Sequence, residues 1–419
     1  MIKNKPPQRA IVSGIGVTSA IGQGKNNFLS ALLNGTTSFA VMQREGRQFG
    51  CDNTAESHPG SAFLGAEIAQ LEIPDNIPHR LLRSMSFSAK VALATLNEAW
   101  YEAQLEHMDP QRIGLIVGGS NIQQRELTLC QDKYRGRETF IRPSYAMSFM
   151  DTDLCGLCTE QFDIKGFAHT HGGASASGQL AVIQAIEAVL SGQVDVCIAL
   201  GALMDISYWE CQAFRTMGAM GSNRFAAEPA RACRPFDKLS DGFIYGESCA
   251  ALVIERENMP GREAIEPYAM FKGWALSLDG NRNPNSSAAG ERRVISEALT
   301  RAGVKAAEMD YINPHGTGSN LGDKNELAAI GACNLSGAKI NTTKSIIGHG
   351  LSAAGAVEMV AALLQMREQV LHPCGNLESP VDPCFNWVLS DAETHHIRNA
   401  LCLSYGFGGL NSAVCLQRV

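Results

Sequence analysis

The spacing of apolar residues along the chain alternates between two periods. From Gln179 to Leu190 they recur at steps of three and four, which is the period of a helix with one face in a core. The runs at 113–117 and 194–200 are short and rich in β-branched residues, so they predict buried strands. Such alternation predicts an α/β protein whose sheets are covered by helices.

A break in this pattern predicts the domain organisation. Residues 257–261 read Glu-Asn-Met-Pro-Gly, a combination that interrupts both periods. We place a boundary there, which divides the chain into an N-terminal half, residues 1–257, and a C-terminal half, residues 258–419. A chain of 419 residues can bury the two sizeable cores that this division requires.

Composition narrows the class of protein. The net charge is -7 and no basic stripe is visible, which argues against nucleic acid as a partner. Thirteen cysteines, an odd number, suit a reducing compartment better than a disulfide framework. Residues 1–7 lack the apolar core of a leader, and no run of 18 apolar residues occurs. We therefore expect a cytoplasmic protein that does not span a membrane.

One small-residue turn is the first candidate for chemistry. Residues 172–178 read Gly-Gly-Ala-Ser-Ala-Ser-Gly and open directly onto the helix predicted at 179–190. Unpaired backbone N–H groups converge at a helix N-terminus and favour negative charge there. Taken alone, Ser175 fits a capping role as well as a catalytic one.

Three later segments carry further polar candidates. Residues 311–323 run from a strand end into a loop with His315, and residues 341–355 place Lys344 five residues before His349. Near the C-terminus, three glycines surround Phe407 and allow backbone N–H groups to approach a ligand closely. A lone histidine in a loop is more often structural than catalytic, so the order and spacing of the segments carry the signal.

In that order the chain resembles the β-ketoacyl-acyl carrier protein synthases, the condensing enzymes of fatty-acid and polyketide pathways. The likeness rests on residues 11–17, on 233–238 with 241–247, and on the His-Gly-Thr, Lys-Ser-(x)2-Gly-His and Gly-Phe-Gly-Gly motifs. It implies a thiolase-like fold, in which two related α/β halves form a five-layer αβαβα arrangement.

The resemblance also implies roles for single residues. His315 and His349 match the catalytic histidines, and Lys344 matches the lysine that supports them. Phe407 matches an aromatic gate whose N–H joins that of residue 175 in an oxyanion hole. The hydroxyls of Thr317 and Ser319 match those that hold the phosphopantetheine arm. Gly408 and Gly409 complete the positions expected to bind substrate. Acidic supporting positions fall on Asp323, Glu326 and Glu358.

The nucleophile departs from the family pattern. The family's cysteine falls on Ser175, and a serine hydroxyl is a weak nucleophile until a base removes its proton. Decarboxylation of a malonyl thioester needs an enolate-stabilising site instead, and the two histidines can supply one. The chain is thus similar to the malonyl-acyl carrier protein decarboxylases of bacterial polyketide β-branching cassettes. Tyr405 and Leu410 also depart from the usual Phe and Thr.

This interpretation predicts partners as well. We expect no bound cofactor, because the malonyl thioester is carried on the phosphopantetheine of an acyl carrier protein. The basic residues Arg80, Arg83 and Lys90 form a candidate docking patch on a helical stretch. The family implies a homodimer, to which residues 121–165 contribute.

We predict no metal site from the sequence. Cys155 and Cys158 form a lone C-x-x-C that fits core packing, and His169 with His171 lacks a third ligand.

Two alternatives stay open. The protein could be a true β-ketoacyl synthase with Ser175 as the acyl nucleophile, or a non-catalytic partner subunit comparable to a chain-length factor. The retained residues His315, Lys344 and His349 argue against the second, since chain-length factors usually lose them.

Overall fold

The computed structural model describes residues 9–48, 62–282, 284 and 287–419. The N-terminal segment considered above for a leader lies outside the described residues. The strands are β1 (Ala10–Ser19), β2 (Gly22–Gln23), β3 (Phe39–Val41), β4 (Leu64–Ala66), β5 (Ile113–Gly118), β6 (Phe167–His171), β7 (Val196–Gly201), β8 (Tyr245–Gly246), β9 (Ser248–Arg256), β10 (Ala269–Leu278), β11 (Tyr311–Asn313), β12 (Lys339–Ile340), β13 (Val370–Leu371), β14 (Asn386–Trp387), β15 (Glu393–Thr394), β16 (Asn399–Gly406) and β17 (Leu410–Gln417). The α-helices are α1 (Lys25–Leu33), α2 (His79–Leu82), α3 (Phe87–Glu102), α4 (Gln124–Tyr134), α5 (Ser144–Ser148), α6 (Thr152–Phe162), α7 (Ser177–Leu190), α8 (Tyr208–Thr216), α9 (Ala288–Ala302), α10 (Asn320–Ala332), α11 (Lys344–Ile347) and α12 (Ala354–Glu368).

The main sheet consists of two halves with the same topology. Outward from a central seam, the first half runs β1-β9-β7-β5-β6 and the second runs β10-β17-β16-β11-β12-β14. In both halves the first two pairings are antiparallel and the next two are parallel. The seam itself is short, because β1 pairs with β10 only through Ile11 with Met270 and Val12 with Ala269.

Helices cover both sheet halves and separate them. The outer layers are α3 with α6 on the first half and α9 with α10 on the second, while α7 and α12 pack together in the middle. The middle helix α12 is buried continuously from Ala354 to Met366, as expected of a helix that is apolar on all sides. The structure thus has the five-layer αβαβα arrangement of two related halves.

Glycines permit the close contact in the middle layer. A β-carbon at Gly178 of α7 would lie 2.8 Å from the backbone nitrogen of Ala356, and one at Gly355 of α12 would lie 3.0 Å from that of Gln179. Because only glycine leaves room for these approaches, the N-terminal ends of both helices touch. This contact places residue 175 beside the loop that precedes α12.

The structure corrects one local expectation. Arg80, Arg83 and Lys90 do not lie on one helix, because Arg80 belongs to α2 and Lys90 to α3. Between them, the side chain of Ser86 accepts a hydrogen bond from the backbone N–H of Ala89 and caps α3, so a new helix begins there.

Two further points concern the chain as a whole. The predicted division between residues 257 and 258 falls in the connection between β9, which ends at Arg256, and β10, which begins at Ala269. The division itself stays a prediction.

Within the described ranges, every helix is too short or too polar to cross a bilayer.

The contact between β1 and α3 yields a stability prediction. A β-carbon at Gly16 would lie 2.1 Å from the carbonyl oxygen of Thr95, so we expect Gly16→Ala to destabilise the fold by about 1–3 kcal/mol through overpacking. The matched control is Gly156→Ala in α6, where an added β-carbon meets nothing within 4 Å and improved helix propensity adds up to about 1 kcal/mol. Chemical denaturation of both variants measures the difference, and equal stabilities would contradict the described packing.

Candidate active site

Ser175 lies on a strained turn immediately before α7. Residues Ala174–Ala176 form a single 3-10 turn, and Ala174 has a φ of +48°, a conformation that non-glycine residues seldom adopt. The hydroxyl of Ser177 stabilises the turn, because it accepts from the N–H of Gly173 at 2.8 Å and donates to the carbonyl of Ala174 at 2.7 Å. The half-buried Ser175 is therefore held in one position.

His349 lies directly against this serine. Its Nε2 is 2.9 Å from the Oγ of Ser175. The histidine backbone is held by the strand region around β8, since its N–H donates to the carbonyl of Ile244 at 2.7 Å and its carbonyl accepts from Gly246 at 3.1 Å. Leu351, two residues later, has a φ of +49°. A residue at positive φ thus lies close to each side chain, Ala174 before Ser175 and Leu351 after His349.

His315 lies in the loop after β11 and is held by two buried carboxyl groups of α10. Glu326 accepts hydrogen bonds from the backbone N–H groups of His315 at 2.6 Å and Gly316 at 2.8 Å. Asp323 accepts from the N–H of Phe236 at 2.6 Å, and the ring of Phe236 packs against Gly316. These bonds orient the loop without using the imidazole.

The two imidazole rings face a common space. Their centroids are 5.6 Å apart with an interplanar angle of 83°. Phe243 packs edge-on against His349, at 5.2 Å between centroids, and Tyr405 packs against His315 at 5.5 Å. Both histidines are therefore fixed by aromatic side chains as well as by backbone bonds.

Lys344 lies behind the histidines and is buried. The sequence suggests a loop here, but residues 344–347 form the single helical turn α11. The ammonium group donates to the carbonyl oxygen of His315 and to the carboxylate of Glu358. The ion pair of Lys344 and Glu358 therefore lies close enough to both imidazoles to influence their protonation.

The buried lysine influences the protonation of its neighbours. Burial first, and the charge of Lys344 second, hold the pKa of His315 and that of His349 well below the ordinary value. Burial raises the pKa of Glu358 to about 7 and that of Glu326 to about 8. At neutral pH the imidazoles are therefore neutral, and each carries one N–H donor.

A cavity of about 390 Å³ brings most of the predicted residues together. Its wall includes Ser175, His315, His349, Phe407, Thr317, Ser319 and Gly409. Gly408 is exposed on the outer side of the turn between β16 and β17, and Lys344 contributes from behind the wall. Phe407 is 39% exposed and lies at the entrance, 6.4 Å between ring centroids from Phe214.

The turn that carries Phe407 contacts the turn that carries Ser175. A β-carbon at Gly406 would lie 2.2 Å from the carbonyl oxygen of Gly173 and 3.4 Å from the nitrogen of Ala176. Glycine at 406 is thus required for this approach. It joins the turn that carries Phe407 to the turn that carries Ser175, and an oxyanion hole formed by both backbones would require such a contact.

Several wall and support residues escaped sequence analysis. Phe243 lies in segment 241–247, which carries the family resemblance but suggests no role for this residue. Met204 and Phe214 come from segments without any motif. Of these three residues, only Phe243 could have been found from the sequence, because it lies in a segment shared with the family. No cysteine lines the cavity as described, and no group of three or more potential metal ligands occurs among the described residues.

Comparison with known proteins gives matches over nearly the whole chain. Residues 8–259 match the family model for the beta-ketoacyl synthase N-terminal domain, and residues 268–378 match that for its C-terminal domain. The chain is 57% identical to the polyketide biosynthesis malonyl-ACP decarboxylase PksF of Bacillus subtilis, over 98% of this chain and 96% of the relative. It is 30% identical to a 3-oxoacyl-[acyl-carrier-protein] synthase 1 of Buchnera aphidicola, over 98% of this chain and 100% of the relative.

Solved structures show the same fold. A beta-ketoacyl synthase from Burkholderia phymatum superposes with a TM-score of 0.86 at 25% identity, covering 98% of this chain and 100% of that one. The ishigamide ketosynthase/chain length factor gives a TM-score of 0.88 at 24% identity, with coverage of 99% and 100%. The predicted thiolase-like fold is confirmed.

The buried lysine yields a prediction about histidine protonation. Lys344→Met removes the positive charge that helps to lower the pKa of His315 and of His349, so both imidazoles should protonate at higher pH in the variant. NMR titration of labelled histidine side chains measures this shift, with Lys324→Met, an exposed lysine of α10, as the control. Unchanged titration in Lys344→Met would show that the lysine charge does not reach the imidazoles.

Proposed function

This chain belongs to the beta-ketoacyl synthase family, and from that premise we propose that it converts malonyl-acyl carrier protein to acetyl-acyl carrier protein without forming a carbon–carbon bond. The acetyl group then serves β-branching in a polyketide pathway. The proposal agrees with the activity for which the Bacillus subtilis relative is named, and that relative is 57% identical over nearly the whole chain. It places the protein in the cytoplasm, with no cofactor of its own.

One observation carries the proposal. The histidine pair is present and oriented, but the side chain hydrogen-bonded to His349 is the hydroxyl of Ser175, and no cysteine lines the described cavity. The groups suited to enolate stabilisation are therefore retained, while the thiol that a condensing enzyme would acylate is replaced. This combination fits decarboxylation as the complete reaction.

The proposed reaction proceeds at the two imidazoles. The thioester oxygen of the malonyl group accepts hydrogen bonds from the N–H groups of His315 and His349. The electron pair of the bond to the carboxylate moves into the thioester as carbon dioxide leaves, and the enolate oxygen carries the resulting negative charge. A proton from water then converts the enolate carbon to a methyl group. Neutral imidazole donors suit this role, because they need not lose a proton to stabilise the charge.

The cavity wall also promotes loss of the carboxylate. Phe243 lines the cavity beside His349, and an apolar ring offers no hydrogen bond to a carboxylate. Charge is less costly when it is spread over an enolate that two donors stabilise, so the apolar wall favours the transition state over the bound substrate. Ser175 orients the substrate or hydrogen-bonds to it but forms no covalent bond.

We propose that the carrier protein presents its arm at the cavity entrance. We assign the hydroxyls of Thr317 and Ser319 to the phosphopantetheine arm, because both residues line the cavity. Arg80 and Arg83 are exposed and Lys90 is half-buried, so this patch offers positive charge to an acidic carrier protein. Phe407 closes the entrance, and its backbone N–H with that of Ser175 forms an oxyanion hole.

A second candidate function has one observation in its favour. The hydrogen bond between Ser175 and His349 is also the geometry of an activated serine nucleophile. A condensing enzyme that acylates Ser175 would use it. An acyl-serine trapped by rapid quenching would support this alternative.

We propose a homodimer in which two copies pair through β6. This strand is the free end of the described sheet order, and none of its residues is fully buried. Large apolar side chains are exposed in the adjoining region 121–165, namely Phe140, Ile141, Met147, Phe149 and Met150. An exposed edge strand beside exposed apolar residues is typical of a surface covered by another chain, and a second copy also continues the sheet.

The reaction can be tested with purified protein and malonyl-carrier protein. We expect release of carbon dioxide and accumulation of acetyl-carrier protein, observed by mass spectrometry, with no β-ketoacyl product when an acyl acceptor is added. His315→Ala or His349→Ala should each slow decarboxylation by roughly 10²- to 10³-fold, as loss of an oxyanion donor does. Ser175→Ala should cost much less.

Two observations separate the proposal from its alternative. Ser175→Cys should become alkylatable by iodoacetamide at residue 175, because a helix N-terminus lowers the pKa of a new thiol. The wild-type protein should show no acyl adduct on Ser175 after quenching. If Ser175→Ala abolishes decarboxylation and an acyl-serine is trapped in the wild type, the non-covalent mechanism is wrong.

The dimer yields its own prediction. Light scattering at micromolar concentration should give the mass of two chains. Phe149→Glu places a charge in the exposed apolar group and should weaken the dimer, whereas Leu389→Glu, at a comparably exposed leucine of the C-terminal half, should not. A monomeric wild-type protein, or dimerisation only with a different condensing subunit, would contradict the homodimer.

A further inference from the structure

A pair of histidines on β6 takes no part in the proposed reaction. His169 and His171 lie two residues apart on the strand, and their ring centroids are 4.6 Å apart at an interplanar angle of 66°. Phe167 stacks on His169, at 5.1 Å and 21°. Because residues i and i+2 of a strand face the same side of a sheet, the three rings form a row along one face of the edge strand.

The imidazole nitrogens of this row are available. Neither ring is hydrogen-bonded to another residue in the described part of the chain, and His169 is exposed. The register partners of His169 and His171 on β5 are Ile116 and Gly118, so the neighbouring strand offers no polar group on this face.

The proposed homodimer doubles this pair. A twofold axis that joins two copies of β6 into one antiparallel sheet runs perpendicular to the sheet, so each residue keeps its face. Directly opposite residues of the two copies then lie on the same face of the sheet. Because side chains alternate between the two faces along a strand, the numbers of two opposite residues are both odd or both even. A register centred on Thr170 therefore places His169 opposite His171 of the partner subunit, and His171 opposite His169 of the partner subunit.

In this register four imidazoles would converge on one spot. Directly opposite side chains of an antiparallel pair have Cβ atoms about 4.5–5.5 Å apart, and the two rings within one copy are already in contact. One chain alone supplies only two ligands, in agreement with the finding that no group of three potential ligands exists among its described residues. The symmetry of the dimer provides the other two.

Neutral imidazole is a preferred ligand of Zn²⁺ and of its neighbours in the first transition series. We propose that His169 and His171, together with His169 of the partner subunit and His171 of the partner subunit, bind one divalent transition-metal ion across the twofold axis. The ion links the two copies and stabilises the dimer. This inference rests on the homodimer of the proposed function and is independent of the reaction itself.

Metal titration tests the site in the purified full-length chain, freed of any histidine tag and treated with chelator. We expect one Co²⁺ or Zn²⁺ per two chains, a Co²⁺ absorption spectrum typical of tetrahedral nitrogen ligation, and a higher melting temperature with metal. His169→Gln and His171→Gln should each weaken binding by at least about tenfold. His107→Gln, at an exposed histidine elsewhere, should bind as the wild type does.

The contrary results are equally specific. Absence of binding to a wild-type protein that light scattering shows to be dimeric, one metal per chain, or unchanged binding in both variants would each overturn the proposal, as would a monomeric wild-type protein. Decarboxylation is measured in the same samples. Metal binding without carbon dioxide release would refute the proposed reaction and leave the metal site standing.

Discussion

The contact between the N-terminal ends of α7 and α12 is the constraint on which the site depends. Each helix begins after a 3-10 turn with a residue at positive φ, Ala174 in the first half and Leu351 in the second. Each then brings a glycine against the other helix, Gly178 and Gly355. The two turns are equivalent parts of related halves, and their contact puts Ser175 beside the loop that carries His349.

The equivalence also shows how one half can change without the other. Ser352 occupies in the second turn the place that Ser175 has in the first, but its hydroxyl is buried and donates to the carbonyl of Ala202 at 2.9 Å. Both turns reach the cavity wall, the second through Leu351, but only in the first turn does the serine line the cavity. A change of side chain at residue 175 therefore alters the chemistry of the cavity and leaves the packing between the halves intact.

Much of the fold was predictable, for identifiable reasons. The period of residues 179–190 marked α7, whose bounds are Ser177–Leu190, and the β-branched runs marked β5 and β7. Local pattern could not reveal α11, because one helical turn is too short to show a period and its residues are all buried. The start of a separate helix at α3 depended on the cap by Ser86, which resembles any other serine in sequence.

The candidate site was predictable only in part. Motifs pointed to His315, His349 and Lys344, because these residues stand in segments rich in glycine. Phe214 and Met204 line the same cavity but come from segments that reach it only through tertiary packing. Periodicity carries no information about such contacts. The exposed edge of β6 was hidden for the same reason, since a strand's place in its sheet is not encoded in its own residues.

Burial of charge fixes the polar framework behind the two histidines. Lys344 and Glu358 are each only 2% exposed at the side chain, and removing either partner would leave an uncompensated buried charge. The lysine also donates to the carbonyl of His315. The polar framework that orients the histidines is thus fixed by folding energetics, whichever side chain occupies residue 175. Two neutral imidazole donors are therefore held in place beside Ser175, which is the arrangement that the proposed enolate stabilisation requires.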